Sequence, residues 1–324
     1  MRLKIKFNFF LAIFLMAVTT VAWYLTGNIV KAVDKHWAHQ FAQRQVQFDK
    51  HRTLMPLIRE IALARQLAVE PAIIEMAKQE QDPVTRTKAI DVLERYRLNF
   101  RDQSYFFALL GSGHYYYNDA KNHYRGNELR YQLSPENAND QWFYATVNSG
   151  KSYQVNLDPD VELGVTKVWI NVLVEHEGKV LGMIGTGIDI SQFLKETVDI
   201  GQEGIHTIFI DSDTAIQLYR DASMIDYASI TKPASDRKQI DALLGNVSDV
   251  EALRGAMARL KSAPYQIETM PVTFEDQLHL LGIAYLPELG WYDLTLMDTK
   301  SLFHLPNFYA LPLSLSIVLL LAML

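Results

Sequence analysis

The sequence contains no cysteine in 324 residues. That excludes a small disulfide-stapled scaffold, and it removes one of the usual enzyme nucleophiles. Positive charge is not in excess either: 31 Lys and Arg stand against 37 Asp and Glu, a formal net charge of −6, so the chain is not a basic nucleic-acid binder. The nine histidines include no His-x-x-x-His metal pair, and the closest helical pair, His36 and His39, lies in the polar flank of an apolar run. No G-x-S-x-G elbow occurs, and none of Lys151, Lys167 or Lys179 follows a Walker-type glycine loop. The glycine-rich "GMIGTGID" at 182–189 fails as a dinucleotide loop, because a third glycine after Gly185 and Gly187 would fall at Ile190. Asp158 and Asp160 lack a third oxygen ligand at calcium spacing. These absences together point away from an enzyme, a resident metal or a cofactor.

What is present begins with apolar sequence. Residues 7–30 carry no charge, enough to cross a roughly 30 Å hydrocarbon layer as a helix and longer than the apolar core of a signal peptide. Arg2, Lys4 and Lys6 in segment 1–6 precede that run, which puts the N-terminus in the cytoplasm and residues 31–305 outside it. A second apolar run at 306–324 reaches Leu324 without a charged stop. It reads as a truncated second membrane helix, with a cytoplasmic output beyond it. The resulting localisation is a bacterial inner (cytoplasmic) membrane, with residues 31–305 periplasmic or extracellular.

Between the two runs the hydrophobic period changes. Residues 31–68 read as one long stalk helix, with Leu54, Leu57, Ile58, Ile61, Ala64 and Ala68 on one face and Pro56 as a kink. Trp37, Phe41 and Phe48 in its first half suit contact with a second copy, giving a homodimer. Pro71 and Pro83 open two short helices over 72–78 and 84–97. Strands are expected at 105–110 and 114–118 around the glycine turn 111–114, and at 165–174 and 180–189 around "EHEG". Residues 119–140 read as loop and short helix, 142–147 as helix, and 191–198 as helix with Ser191 as its cap. A second unit follows, with strands at 206–211, 215–220, 265–270, 278–285 and 291–297 and a helix over 240–260. The fold class is α+β: a long N-terminal helix with two antiparallel α/β modules, at 69–200 and 201–305, flanked by two transmembrane helices.

The segments NDQWFYATVNSG (139–150), SYQVNLDPD (152–160) and TKVWINVLVEHEGKVLGMIGTGIDIS (166–191) resemble the double Cache family. Its members are extracytoplasmic sensors, with two PAS-like modules, of bacterial chemoreceptors, histidine kinases and diguanylate cyclases. The strands around "VWIN" and "GTGID" look most like the cyclase-linked members, which implies a diguanylate cyclase as the missing output. The resemblance also implies a small ligand in the membrane-distal module, at 69–200, and no catalysis in the region itself.

Alternation along the strands puts Val168, Ile170, Val172 and Val174 on the core face, and Lys167, Trp169 and Asn171 on the other. On the return strand Gly185, Gly187 and Asp189 share that second face, where the glycines are expected to leave the floor of a pocket open. The resemblance matches Trp142 and Phe143 to the family's paired aromatics, Asp189 to its terminal acid and Tyr153 to its later tyrosine. The arginine that grips an amino-acid carboxylate in that motif is replaced here by Asp140. The expected ligand contacts are therefore Tyr117, Asp140, Trp142, Phe143, Tyr153, Trp169, Asn171 and Asp189, around a small cationic ligand, an amine or amino acid. Plainer roles stay open: Trp142 as a core anchor, Asn171 at a bulge, Asp189 at a strand-to-helix turn. The alternative function is a ligand-independent dimerisation module, or one that binds a periplasmic protein, in a histidine kinase, phosphatase or chemoreceptor.

Overall fold

The computed structural model describes residues 2–198, 201–227 and 231–298. The expected second membrane helix at 306–324 lies outside them. Helix α1 runs unbroken over Arg2–Ala68 with Pro56 inside it, so the uncharged run and the stalk are one element. Among the described residues no helix is long and apolar enough to cross a membrane, so a span at 7–30 rests on the sequence. Leu54, Leu57, Ile61, Ala64 and Ala68 are buried at alternating spacings of three and four, whereas Ile58 falls off that stripe and is exposed. Burying each of the large aliphatic side chains contributes about 1.5–3 kcal/mol.

Helices α2 (Pro71–Lys78) and α3 (Pro83–Arg97) start at their prolines. Asp82 caps α3 by accepting from Val84 and Thr85 N–H, at 3.4 and 3.0 Å. The first sheet comprises β1 (Tyr105–Leu109), β2 (His114–Asn118), β3 (Leu129–Gln132), β4 (Tyr153–Asp160), β5 (Val165–His176) and β6 (Lys179–Asp189). Their order is β3-β2-β1-β6-β5-β4, all antiparallel. Its inner face places Val168, Ile170, Val172, Val174, Ile184 and Ile188 in one core with the α1 stripe. Its outer face carries Phe106, Tyr115, Tyr117, Trp169 and Met183, covered by Phe143 of α4 (Gln141–Asn148). The face assignment along β5 and β6 is therefore as the alternation predicts.

Two strands depart from the sequence reading. Both β3 and β4 are edge strands in segments expected to be loop or left unassigned. Pro159 fits in β4 because an edge strand has a side without ladder bonds, and Pro donates no N–H. Helix α5 covers Ile190–Thr197 and is capped by Asp189, whose carboxylate accepts from Gln192 N–H at 2.9 Å; Ser191 is not the cap. The acid sits one residue ahead of the first helical turn, where a side-chain oxygen meets the free N–H groups.

The second sheet has β7 (Ile205–Ile210), β8 (Ile216–Leu218), β9 (Ile267–Phe274), β10 (Gln277–Leu286) and β11 (Trp291–Met297), ordered β8-β7-β11-β10-β9. Helix α6 covers Val247–Ser262 rather than the whole of 240–260. Asn246 breaks that stretch, since its side chain caps α6 by accepting from Ser248 N–H at 3.0 Å. The stretch of α1 over 38–46 lies on this sheet: Ala42 and Ala38 pack with Leu280 and Met297, and a Cβ on Gly282 would stand 2.4 Å from Val46 Cγ2. Trp37, Phe41 and Phe48 are exposed in and beside that stretch. One helix thus touches both sheets.

Candidate functional site

The outer face of the first sheet carries the chemistry. Cross-strand register sets Asn156 of β4 opposite Trp169 of β5, and Asn171 of β5 opposite Gly185 of β6. Phe106 of β1 pairs with Gly185 on the other flank. Phe106, Asn156, Trp169 and Asn171, with Tyr115, Trp142, Asp158, Pro159 and Asp160, line one cleft. Its rings interlock: Phe106 stacks on Tyr115 at 5.7 Å, and Trp142 meets Phe106 and Tyr115 edge-on at 6.1 and 6.4 Å. Trp169 meets Phe106 edge-on at 5.7 Å and donates its indole N–H to the Asp158 carbonyl at 2.9 Å.

The polar wall consists of two carboxylates, Asp158 and Asp160, and two amides, Asn156 and Asn171. Asn171 donates its amide to Asn156 Oδ1, Asn156 donates to Asp158 Oδ2, and the Oδ1 of the buried Asn171 has no hydrogen-bond partner among the described residues. Asp160 accepts from Tyr131 OH at 3.3 Å and Leu163 N–H at 2.9 Å, and burial raises its pKa above the ordinary aspartate range against the pull of those bonds. Among the described residues no lysine or arginine lines the cleft. The free space is about 20 Å³, room for one water, so anything larger enters only if α4 or β4 gives way.

Of the expected contacts, Trp142, Trp169 and Asn171 meet in this cleft. Tyr117 and Phe143 lie in the apolar layer beside it. Asp140 is buried and accepts from Ser134 N–H at 2.9 Å, which fixes the turn ahead of α4. Tyr153 is on the opposite sheet face, where its hydroxyl donates to the Glu288 carbonyl at 2.8 Å. Asp189 is exposed and occupied as the α5 cap. The two glycines leave no open floor. The space beside Gly187 is filled by Lys167 and Trp169, whose atoms would stand 2.5 and 3.0 Å from an added Cβ, and that beside Gly185 is closed by Phe106 and the Ile170 carbonyl.

Phe106, Tyr115, Asn156, Asp158 and Asp160 complete the cleft and were not anticipated. The signal for the last three is the alternation in YQVNLDPD, where Val155 and Leu157 point inward and the polar residues between them point out. Among the described residues no cluster of three or more His, Cys, Asp or Glu side chains is placed to hold a metal ion. A larger groove between the modules is lined by charges of both signs, among them Lys151, Lys261, Glu288 and Arg237, the last bonded to Asp211, Asp213 and Asp226. Size alone would favour that groove, but its lining mixes lysines and an arginine with carboxylates, whereas the described lining of the aromatic cleft joins rings to carboxylates and amides.

No family model matches the chain. Solved structures do. The ligand-binding domain of the Pseudomonas fluorescens chemoreceptor CtaA in complex with L-alanine aligns with TM-score 0.54 at 15% identity, covering 82% of this chain and 98% of that one. The ligand-binding domain of Mlp24 with asparagine gives 0.52 at 13% identity, covering 87% and 98%. That of the Pseudomonas aeruginosa amino-acid chemoreceptor PctB in complex with L-Arg gives 0.51 at 13%, covering 81% and 95%. At such identities the likeness is one of fold. The fold is shared with these ligand-binding domains, and its two sheets on one long helix are consistent with the double Cache resemblance.

Proposed function

We propose that this chain is the extracytoplasmic input region of a membrane receptor and that its outer distal cleft binds a small ligand through an ammonium group. One observation carries the ligand class: aromatic rings and the acceptors Asp158, Asp160 and Asn171 converge with no lysine or arginine among the lining residues. Cation–π attraction and charge-assisted hydrogen bonds both favour a cation there. The amino acids bound by the similar domains have such a group. Residues 7–30 serve as the anchor, 69–200 and 201–305 as distal and proximal modules, and Trp37, Phe41 and Phe48 as the homodimer face. A diguanylate cyclase output rests on the sequence resemblance alone.

Signalling follows from the two faces of β5. A ligand that opens the cleft moves Trp169 and Asn171, while Val168, Ile170 and Val172 on the same strand press on the core shared with α1. Differential stabilisation of the open cleft thereby biases the position of a helix that begins at Arg2.

The test is calorimetry and thermal shift on the full chain in detergent, with a panel of amines and amino acids. A binder raises the melting midpoint. Asp158→Asn is expected to weaken it roughly 10- to 100-fold, the worth of one charged hydrogen bond. Asp189→Asn is expected to leave affinity unchanged. A panel in which nothing binds would sink the amine reading in favour of dimerisation or a protein ligand.

A further inference from the structure

The face that carries the cleft already holds one ammonium, supplied by the chain. Lys167 lies two residues before Trp169 on β5, is 7% exposed, and sends Nζ into a nest of acceptors. Nζ donates to the Asp102 carboxylate, to Ser104 Oγ at 3.1 Å and to Tyr117 OH at 3.4 Å. An ammonium has three N–H donors, so these partners satisfy it fully. It also stands 5.8 Å from the Tyr117 ring centroid and 5.7 Å from that of Trp169, within cation–π range of both. The stem fits because residue 187 is glycine: a Cβ there would come within 2.5 Å of Lys167 Cδ and 3.0 Å of its Cβ.

Trp169 therefore borders two compartments of the same chemistry, aromatic rings with a carboxylate. The Lys167 ammonium fills one. The other is the cleft lined by Trp142, Asp158 and Asn171. We propose, on the basis of the amine reading above, that Lys167 is the residue that sets specificity: it occupies the second of two adjoining ammonium seats and restricts the site to ligands with a single cationic end. A diamine that places one ammonium in the cleft brings its other end toward a fixed like charge, whose acceptors are already taken.

The test compares n-butylamine with 1,4-diaminobutane, and the five- and six-carbon pairs, by calorimetry on the full chain. The parent is expected to bind each monoamine at least tenfold more tightly than its diamine. Lys167→Ala vacates the seat and leaves Asp102 to receive the second ammonium, so at one chain length the preference reverses by tenfold or more. Adding Asp102→Asn removes the reversal. Lys167→Met keeps the apolar stem without the charge; it is expected to abolish discrimination against diamines without creating a preference for them, and it serves where the alanine variant folds poorly. Discrimination that is the same in the parent and both variants overturns the role of Lys167 while leaving the amine reading intact. A parent that binds no amine overturns that reading, and this inference with it.

Discussion

Gly185→Ala is expected to cost the distal module about 3 kcal/mol or more. Gly185 lies in β6 between β5 and β1, paired with Asn171 on one side and Phe106 on the other. A methyl group there would sit 1.8 Å from the Ile170 carbonyl oxygen, 2.9 Å from the carbon of that carbonyl and 3.0 Å from Phe106 Cε1. The first two are backbone atoms in the middle of a sheet held on both flanks, so relief requires the strands to part. A loss of that size lowers the melting midpoint by roughly 6–12 °C. Gly111→Ala and Gly245→Ala are the matched controls, since nothing lies within 4 Å of a Cβ at either position; both should stay within about 0.5 kcal/mol of the parent. Circular-dichroism melts decide the matter. If Gly185→Ala melts with the controls, the register between β5 and β6 is not the one described.

The same strands show how far the sequence could be read. Uninterrupted alternation over β5 and β6 tells the two faces apart, because a one-residue slip would turn Val168, Ile170 and Val172 out of the core. The edge strands lack such a signal. β3 is exposed or half-buried along its length, and β4 mixes Asn, Asp and Pro with its apolar residues, the composition of a loop. Missing β4 has a direct consequence for the site, since Tyr153 belongs to the inward-facing set with Val155 and Leu157 while the carboxylates of the cleft come from the alternate set. Asp140 and Asp189 mislead for a different reason. An aspartate beside a helix start satisfies free backbone N–H groups as readily as it binds a ligand, and both do so here, to Ser134 and Gln192. Glycines in a strand announce a close approach without saying whether a ligand, a neighbouring backbone or the chain's own lysine makes it.

Raising pH above the ordinary aspartate range is expected to destabilise the junction between α1 and the proximal sheet, and Asp293→Asn to remove much of that dependence. Asp49 of α1 and Asp293 of β11 are both fully buried. Asp49 holds the donors: Arg52 Nη2 at 2.6 Å, Thr207 OH at 3.3 Å, and Gln45 Nε2 at 3.3 Å from each oxygen. Among the described residues the Asp293 side chain has one hydrogen-bond partner, Thr295 Oγ1 at 3.3 Å from Oδ1, and its Oδ2 has none. Thr295 carries a single hydroxyl proton and stands 3.2 Å from Asp49 Oδ2 as well, so when it donates to Asp49 the bond to Asp293 needs a proton from Asp293. Burial first, and then the charge of Asp49, push the Asp293 pKa well up, against the pull of Thr295, Arg52 and Lys50. A carboxyl raised in the folded state must take up a proton on folding. Its stabilisation is therefore complete below the unfolded pKa and is lost as pH climbs from there through the folded one, at about 1.4 kcal/mol per unit of displacement. An amide at 293 is neutral throughout, so the variant should gain on the parent steadily with pH. Asp49→Asn should instead cost about 3 kcal/mol, because it leaves the mostly buried Arg52 guanidinium, two of whose nitrogens already lack partners among the described residues, without its carboxylate. Urea midpoints of the two variants and the parent across a pH series separate these outcomes. Equal slopes for Asp293→Asn and the parent would mean that the proton resides elsewhere.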